Sequence, residues 1–382
     1  MVGQVISAFE SNFKGKPRVF VAPGRINLIG EHTDYNMGLA MPAAIDKHFV
    51  FAIAPNNTDS FLIKAIDLDQ SVSFSRNDLK HGHSWENYLM GVIDGFLRRG
   101  KQLSGADSVF SSNIPAGAGL SSSAALCSGF GFALNEIFKC GLGKLELAVI
   151  AQEAEQNFTG TRCGIMDMYA SLFSEENSVM LLDCRDNTHG FLPARFEGFE
   201  ILLIDTKVKH SLASSGYNSR RAACEEGVLK LSQANPEIKS LRDVSPEMLE
   251  SSKLSMSEEA FKRCTYVVRE IDRTKKAAHF LQTNDLVSFG KLMYETHLGL
   301  SREYEVSCAE SDWLVDRALK NNVTGARQMG GGFGGCTINL IPKGSKQALI
   351  DDVSEKYFNT FKNEPDFYSV KLASGVHEVV DH

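Results

Sequence analysis

The sequence predicts two domains, each mixing strands with helices. Its 382 residues fit about two domains at roughly 100–200 residues each. Strand-like and helix-like segments alternate in both halves, the pattern of mixed α/β packing. A break at 187–197, DNTHGFLPARF, sets the expected boundary, giving domains 1–195 and 196–382.

Taken in order, Pro17 to Ala22 (PRVFVA) reads as a strand of β-branched and aromatic residues entering a glycine-punctuated loop, GRINLIGEHTDYNMG, at 24–38. Phe49 to Ala54 is a second strand, stopped by Pro55-Asn56-Asn57. Trp85, Leu89, Val92 and Phe96 recur at helical spacing. The loop NIPAGAGLSSS opens into a buried Ala/Gly/Phe-rich helix ending near 138. Leu147, Ile150, Ala151, Ala154 and Phe158 mark one face of the next helix. A short helix lies within GTRCGIMDMYASLF, followed by the strand SVMLLDC. Past the break come a strand at 200–205 and helices near 217–233, 257–281, 284–300 and 311–320. A glycine loop within GARQMGGGFGGCTINLI separates two strands, and a helix and the strand YSVKLA close the chain.

Composition narrows the function classes. Hydrophobic residues make up 43% and charged residues 23%, which is globular usage rather than disorder. The net charge of −7, with no basic block, argues against nucleic-acid binding. No apolar run approaches the ~18–20 residues of a membrane helix, and no signal peptide is read at the N-terminus. Eight scattered cysteines without C-x-x-C spacing suit a reducing cytoplasm.

Three loops carry the chemistry. In Pro115-Ala116-Gly117-Ala118-Gly119-Leu120-Ser121-Ser122-Ser123, glycines permit close backbone approach. The helix start then offers free N–H groups to an anion. This is the recipe of a phosphate cradle, although a serine N-cap alone would look the same. No G-x-x-x-x-G-K-[ST] occurs, so it is not a Walker loop. The first loop gathers Arg25, Asn27, Glu31, His32, Asp34 and Tyr35, acids, bases and amides that suit a polyhydroxylated ligand. A solvated loop has the same letters. Glu155 beside an apolar helix face, and Asp167 after Gly164-Ile165-Met166, need a metal, a basic partner or a catalytic role to offset burial, unless Asp167 simply caps a helix. The loop at 330–335 has five glycines in six residues. His81-Gly82-His83 lacks further ligands nearby and reads as a solvated loop.

Together, the motifs at 24–38, 115–124 and 327–336 resemble those of the GHMP kinases, and GRINLIGEHTDYNMG looks like the galactokinase signature of that family. WENYLMGV at 85–92, AEQNFTGTRCGIMD at 154–167, HSLASSGYNSRRAACEE at 210–226 and YEVSC at 304–308 extend the resemblance over essentially the whole chain.

The resemblance implies an α+β fold of two domains. The N-terminal one would be like domain 2 of ribosomal protein S5, the C-terminal one ferredoxin-like, with the active site in the cleft between. It implies transfer of the γ-phosphoryl of ATP to the C1 hydroxyl of α-D-galactose. Asp167 would be the catalytic acid/base, and Arg25 would pair its ionised carboxylate and offset phosphoryl charge. Glu31, His32 and Asp34 would read sugar hydroxyls, Asp34 near C3 and C4, with Gly164 and Tyr217 completing the pocket. Residues 115–124 would wrap the phosphates, Trp85 would pack near the adenine, and Ser123 (or Ser122) with Glu155 would hold Mg²⁺. The implied protein is a cytoplasmic monomer with no membrane or nucleic-acid partner. Another hexose or N-acetylgalactosamine as substrate, or a non-catalytic galactose and ATP sensor, are the alternatives. Two positions depart from the family pattern: Met168 follows Asp167 where glutamine is usual, and Met37 replaces a usual glycine.

Overall fold

A computed structural model describes residues 1–80, 82, 84–194, 196–208 and 213–380. His81, His83 and part of the 210–226 motif lie outside them.

The first half contains helix α1 (Val2–Asn12), then strands β1 (Arg18–Asn27), β2 (Leu39–Ala40), β3 (Pro42–Pro55), β4 (Ser60–Ala65) and β5 (Gln70–Ser75). Helix α2 (Glu86–Arg98), strand β6 (Ala106–Ser112), and helices α3 (Ser122–Ile137), α4 (Lys144–Thr159) and α5 (Met166–Phe173) follow. The hairpin β7 (Ser178–Asp183) and β8 (Thr188–Pro193) completes it. The second half runs β9 (Phe199–Asp205), α6 (Ala213–Ala234), α7 (Pro246–Ser251), α8 (Glu258–Gln282), α9 (Leu286–Gly299) and α10 (Ala309–Lys320). It ends with β10 (Gly325–Gln328), β11 (Cys336–Pro342), α11 (Lys346–Phe361), β12 (Asp366–Ser369) and β13 (His377–Val379).

The large sheet has the order β13-β1-β3-β6-β4-β5. Both faces of its centre are covered, which explains the buried apolar run Phe49–Ala54 of β3. On one face, Val5 and Phe9 of α1 pack on Val19, Val50, Ala52 and Val109. On the other, α3 lies against β1 and β3, flanked by α2, α4 and α5. The four-stranded sheet, β10-β11-β9-β12, alternates instead. Leu202, Ile204 and Ile341 meet α10 and α11, whereas Ile201, Leu203, Ile338 and Leu340 join the main core. A three-stranded sheet, β2-β7-β8, lies beside them.

Several boundaries differ from the sequence reading. Strand β1 continues through Asn27, so Arg25 stands on a strand rather than in a loop. A register shift between Pro23 and Arg25 re-aims the chain there. The break at 187–197 is largely β8. The strand expected at YSVKLA, residues 368–373, is found instead at Asp366–Ser369. It is not the last, since β13 returns to pair with β1.

Candidate active site

The N-terminus of α3, the N-terminus of α5 and the bulge of β1 converge on one ion pair. Arg25 is 4% exposed, and its fork grips Asp167, with Nε to Oδ1 at 2.7 Å and Nη2 to Oδ2 at 2.8 Å. Its Nη1 donates to the Gly119 carbonyl at 2.7 Å, tying the pair to the central loop. Burial works against the charged guanidinium, but Asp167, Glu31 and Asp34 nearby outweigh it and raise its pKa. Ser121 also reaches Asp167, donating from Oγ to Oδ2 at 2.5 Å. It does so from a left-handed conformation, φ +57° and ψ +49°, that a serine adopts only at a cost.

From this pair a cleft of about 730 Å³ runs along the central loop. Pro115, Gly117, Gly119, Leu120, Ser121, Ser122 and Ser123 line it at the polar end, and Phe49, Leu68, Trp85, Tyr88 and Phe110 at the apolar end. Ala118 does not line it; that residue is fully buried, and its carbonyl accepts the Cys336 N–H at 3.1 Å. Trp85 packs edge-on to Phe110 and donates its indole N–H to Gln70 at 2.8 Å. A helix N-terminus beside the loop suits phosphates, and the aromatic end suits a flat base.

A second, smaller pocket opens on the other side of the pair, lined by Arg25, Glu31, His32, Asp34, Cys163, Gly164, Met166, Asp167, Tyr217 and Gly331. Glu31 is held by Arg327 Nη1 at 2.8 Å and by the Gly330 N–H at 2.9 Å. Burial alone would raise its pKa, but Arg327 and Arg25 hold it below the usual carboxylate value. Burial drives His32 down to about 4, so its ring is neutral near pH 7. Its Nδ1 shares a hydrogen bond with Tyr35 at 2.9 Å, and its Nε2 has no partner among the described residues. Tyr35 in turn meets Tyr304 at 2.7 Å, within the π-helical turn Leu300–Tyr304. Tyr217 packs tilted against His32 and edge-on against Tyr35, their ring centroids 5.3 and 5.4 Å away. Burial, then the charge of Asp167, pushes Asp34 up to about 6. Gly164 is required by contact, since a Cβ there would lie 1.8 Å from Asp34 Oδ2.

Glu155 is buried on α4, and burial pushes its carboxyl up to about 7 despite a hydrogen bond from Ser123. Its Oε1 has no partner among the described residues. Those residues contain no group of three or more His, Cys, Asp and Glu suited to a metal. An orphaned carboxylate oxygen beside a hydroxyl fits an ion that takes its remaining oxygens from phosphates and water, as Mg²⁺ does.

Sequence reading missed Arg327, which is fully buried and spans from Glu31 to the carbonyls of Leu28 and Asn27. A lone arginine beside the 330–335 glycines was the available signal. Those glycines let the second half touch the central loop backbone to backbone: a Cβ on Gly330 would meet the Gly119 carbonyl at 3.2 Å.

Three family models match the chain: the galactokinase galactose-binding signature over residues 7–55, the N-terminal GHMP kinase domain over 87–175, and the C-terminal GHMP kinase domain over 277–359. The galactokinase of Thermotoga petrophila is 39% identical over 94% of this chain and 99% of its own. That of Roseiflexus sp. is 36% identical over 100% of this chain and 98% of its own. The crystal structure of Lactococcus lactis galactokinase complexed with galactose superposes with a TM-score of 0.94, at 31% identity and 98% coverage of both chains. Methanococcus jannaschii mevalonate kinase shares the fold, with a TM-score of 0.63 at 19% identity, covering 94% of this chain and 100% of its own. With both pockets and the full-length likeness in place, the chain belongs to the galactokinase family of the GHMP kinases.

Proposed function

We propose that this protein is a galactokinase, transferring the γ-phosphoryl of ATP to the C1 hydroxyl of α-D-galactose to yield α-D-galactose 1-phosphate and ADP. The observation that carries the proposal is the Arg25–Asp167 pair, which lines both the phosphate-loop cleft and the smaller polar pocket. A phosphoryl group leaving one and a hydroxyl entering from the other would meet there.

In this reading ATP lies with its base toward Trp85 and its phosphates along residues 115–123. Galactose fills the smaller pocket, where Asp34 and His32 face its hydroxyls, Glu31 braces the wall and Tyr217 covers one side. Asp167 receives the C1 proton as the bond from the C1 oxygen to the γ-phosphorus forms and the bond from that phosphorus to the β–γ bridging oxygen breaks, the bridging oxygen leaving on ADP. Arg25 holds the carboxylate in line and faces charge developing on the phosphoryl oxygens. Phosphoryl transfer is loose, so positioning and electrostatics do most of this chemistry. Ser121 supplies a third donor to Asp167 and fixes its rotamer. Glu155 and Ser123 would hold Mg²⁺, which when bound neutralises charge on the phosphate oxygens. We further place the domain division at 195/196, with the C-terminal strand β13 returning to the sheet of the first domain, and read the protein as a cytoplasmic monomer. Among the described residues, no helix is long and apolar enough to cross a membrane.

Phosphorus and proton NMR of the product formed from ATP and galactose tests the proposal. A new α-anomeric phosphate on galactose is the expected outcome. Phosphate at another position, or only free phosphate, would overturn it.

A further inference from the structure

Helix α8 of the second half lies beneath the loop that carries Glu31 and His32. Tyr266 donates to the Glu31 carbonyl at 3.0 Å. One turn on, Glu270 is fully buried and accepts the Gly30 N–H at 2.9 Å on Oε1. Thr296 of α9 donates its hydroxyl to the same carboxylate, 3.1 Å from Oε1 and 2.9 Å from Oε2. Arg273 pairs with Oε2. Glu270 and Thr296 line neither pocket.

A buried carboxylate is costly unless charge and hydrogen bonds compensate it. Compensation here comes from one cation, one hydroxyl and one amide, and that amide opens the recognition loop. Gly30 has φ +86°, and a Cβ there would lie 2.4 Å from the Leu39 carbonyl oxygen. The turn is therefore fixed on its outer side by packing and on its inner side by Glu270. Glu31 and His32 follow directly, so a displacement of the Gly30 amide carries into both pocket side chains.

We infer that Glu270, clamped by Arg273 and Thr296, is a positioning residue that sets the sugar-recognition loop through the Gly30 amide, tuning sugar affinity without touching the sugar. The kinetic consequence rests on the galactokinase reading, whereas the loop geometry does not.

Two variants test it. Glu270→Asp keeps the charge but withdraws the carboxylate from Gly30 by one methylene. Thr296→Val keeps the shape and removes the hydroxyl that locks the carboxylate. We expect KM for galactose to rise about tenfold in Glu270→Asp, the worth of roughly one charge-assisted hydrogen bond, and severalfold in Thr296→Val. Both kcat and KM for ATP should stay within about twofold, because the transferring groups are untouched. Amide hydrogen exchange at Gly30 should quicken by about tenfold in Glu270→Asp, since its acceptor has receded.

An unchanged galactose KM in the folded variants, or a loss confined to kcat, would overturn the inference. If Glu270→Asp does not fold, Thr296→Val decides alone, a raised galactose KM supporting the claim and an unchanged one refuting it. If the unmutated protein turns over no galactose, the galactokinase reading fails separately. Gly30 exchange then decides the positioning claim by itself, read in Thr296→Val where Glu270→Asp does not fold, with unchanged exchange refuting it.

Discussion

Replacing Arg25 with lysine keeps the charge and removes the fork. Arg25 makes three hydrogen bonds of 2.7–2.8 Å, two to Asp167 and one to the Gly119 carbonyl. A lysine ammonium is a point charge on a different stem and keeps about one of them. Hydrogen bonds to charged groups are worth about 1.5–3 kcal/mol each. Because a cation remains, the penalty of an unpaired buried carboxylate, about 3–5 kcal/mol, is avoided. If roughly half the lost bonding is expressed in the transition state, the barrier rises by about 1.5–3 kcal/mol and kcat falls about 12- to 160-fold. A coupled assay of ADP release at saturating ATP and galactose reads this directly. A raised KM with unchanged kcat would refute the reasoning and make Arg25 a uniform binding residue.

Other perturbations follow from the same geometry. Gly164→Ala would drive a methyl into the Asp34 carboxylate, so calorimetric galactose binding should fall at least about 100-fold while ATP binding stays intact. Glu155 has its carboxyl raised to about 7, so its contribution to folding is complete below about pH 4.5 and is lost as the pH rises through 7. Glu155→Gln should therefore raise stability at pH 8 by on the order of 2–3 kcal/mol and change little at pH 5, read by denaturant unfolding, while weakening Mg-ATP binding. Met37 is 42% exposed with φ +57°, so Met37→Gly should leave activity unchanged. Its thermal melt should show a gain of roughly 0–1 kcal/mol, left-handed strain relieved less the entropy of glycine.

What the sequence disclosed follows from what each signal encodes. Periodicity found α2 and α4 because each presents an apolar stripe to the main core, whereas α3 was read from its small apolar residues and low charge and is buried on nearly every side. The three glycine loops were visible because close backbone contact leaves few alternatives to glycine. Arg327 and Glu270 were hidden because each acts on residues more than 200 positions away, through partners that no local pattern records. Ser121 was read only as part of the phosphate loop, since its bond to Asp167 depends on a backbone conformation that spacing does not reveal. The two departures from the family pattern also become intelligible. Met168 points away from the pockets into the main core, where a thioether packs at no polar cost. Met37 occupies the left-handed position that explains why glycine is usual there.

The most direct test of the account is ADP release by the purified protein with Mg-ATP, offering galactose, glucose, N-acetylgalactosamine and mevalonate in parallel, with Asp167→Ala as the blank. Strong turnover is expected on galactose alone, lost in the blank although that variant still binds ATP and galactose. Near-normal turnover by Asp167→Ala, or no galactose-dependent turnover by the unmutated protein, would contradict it.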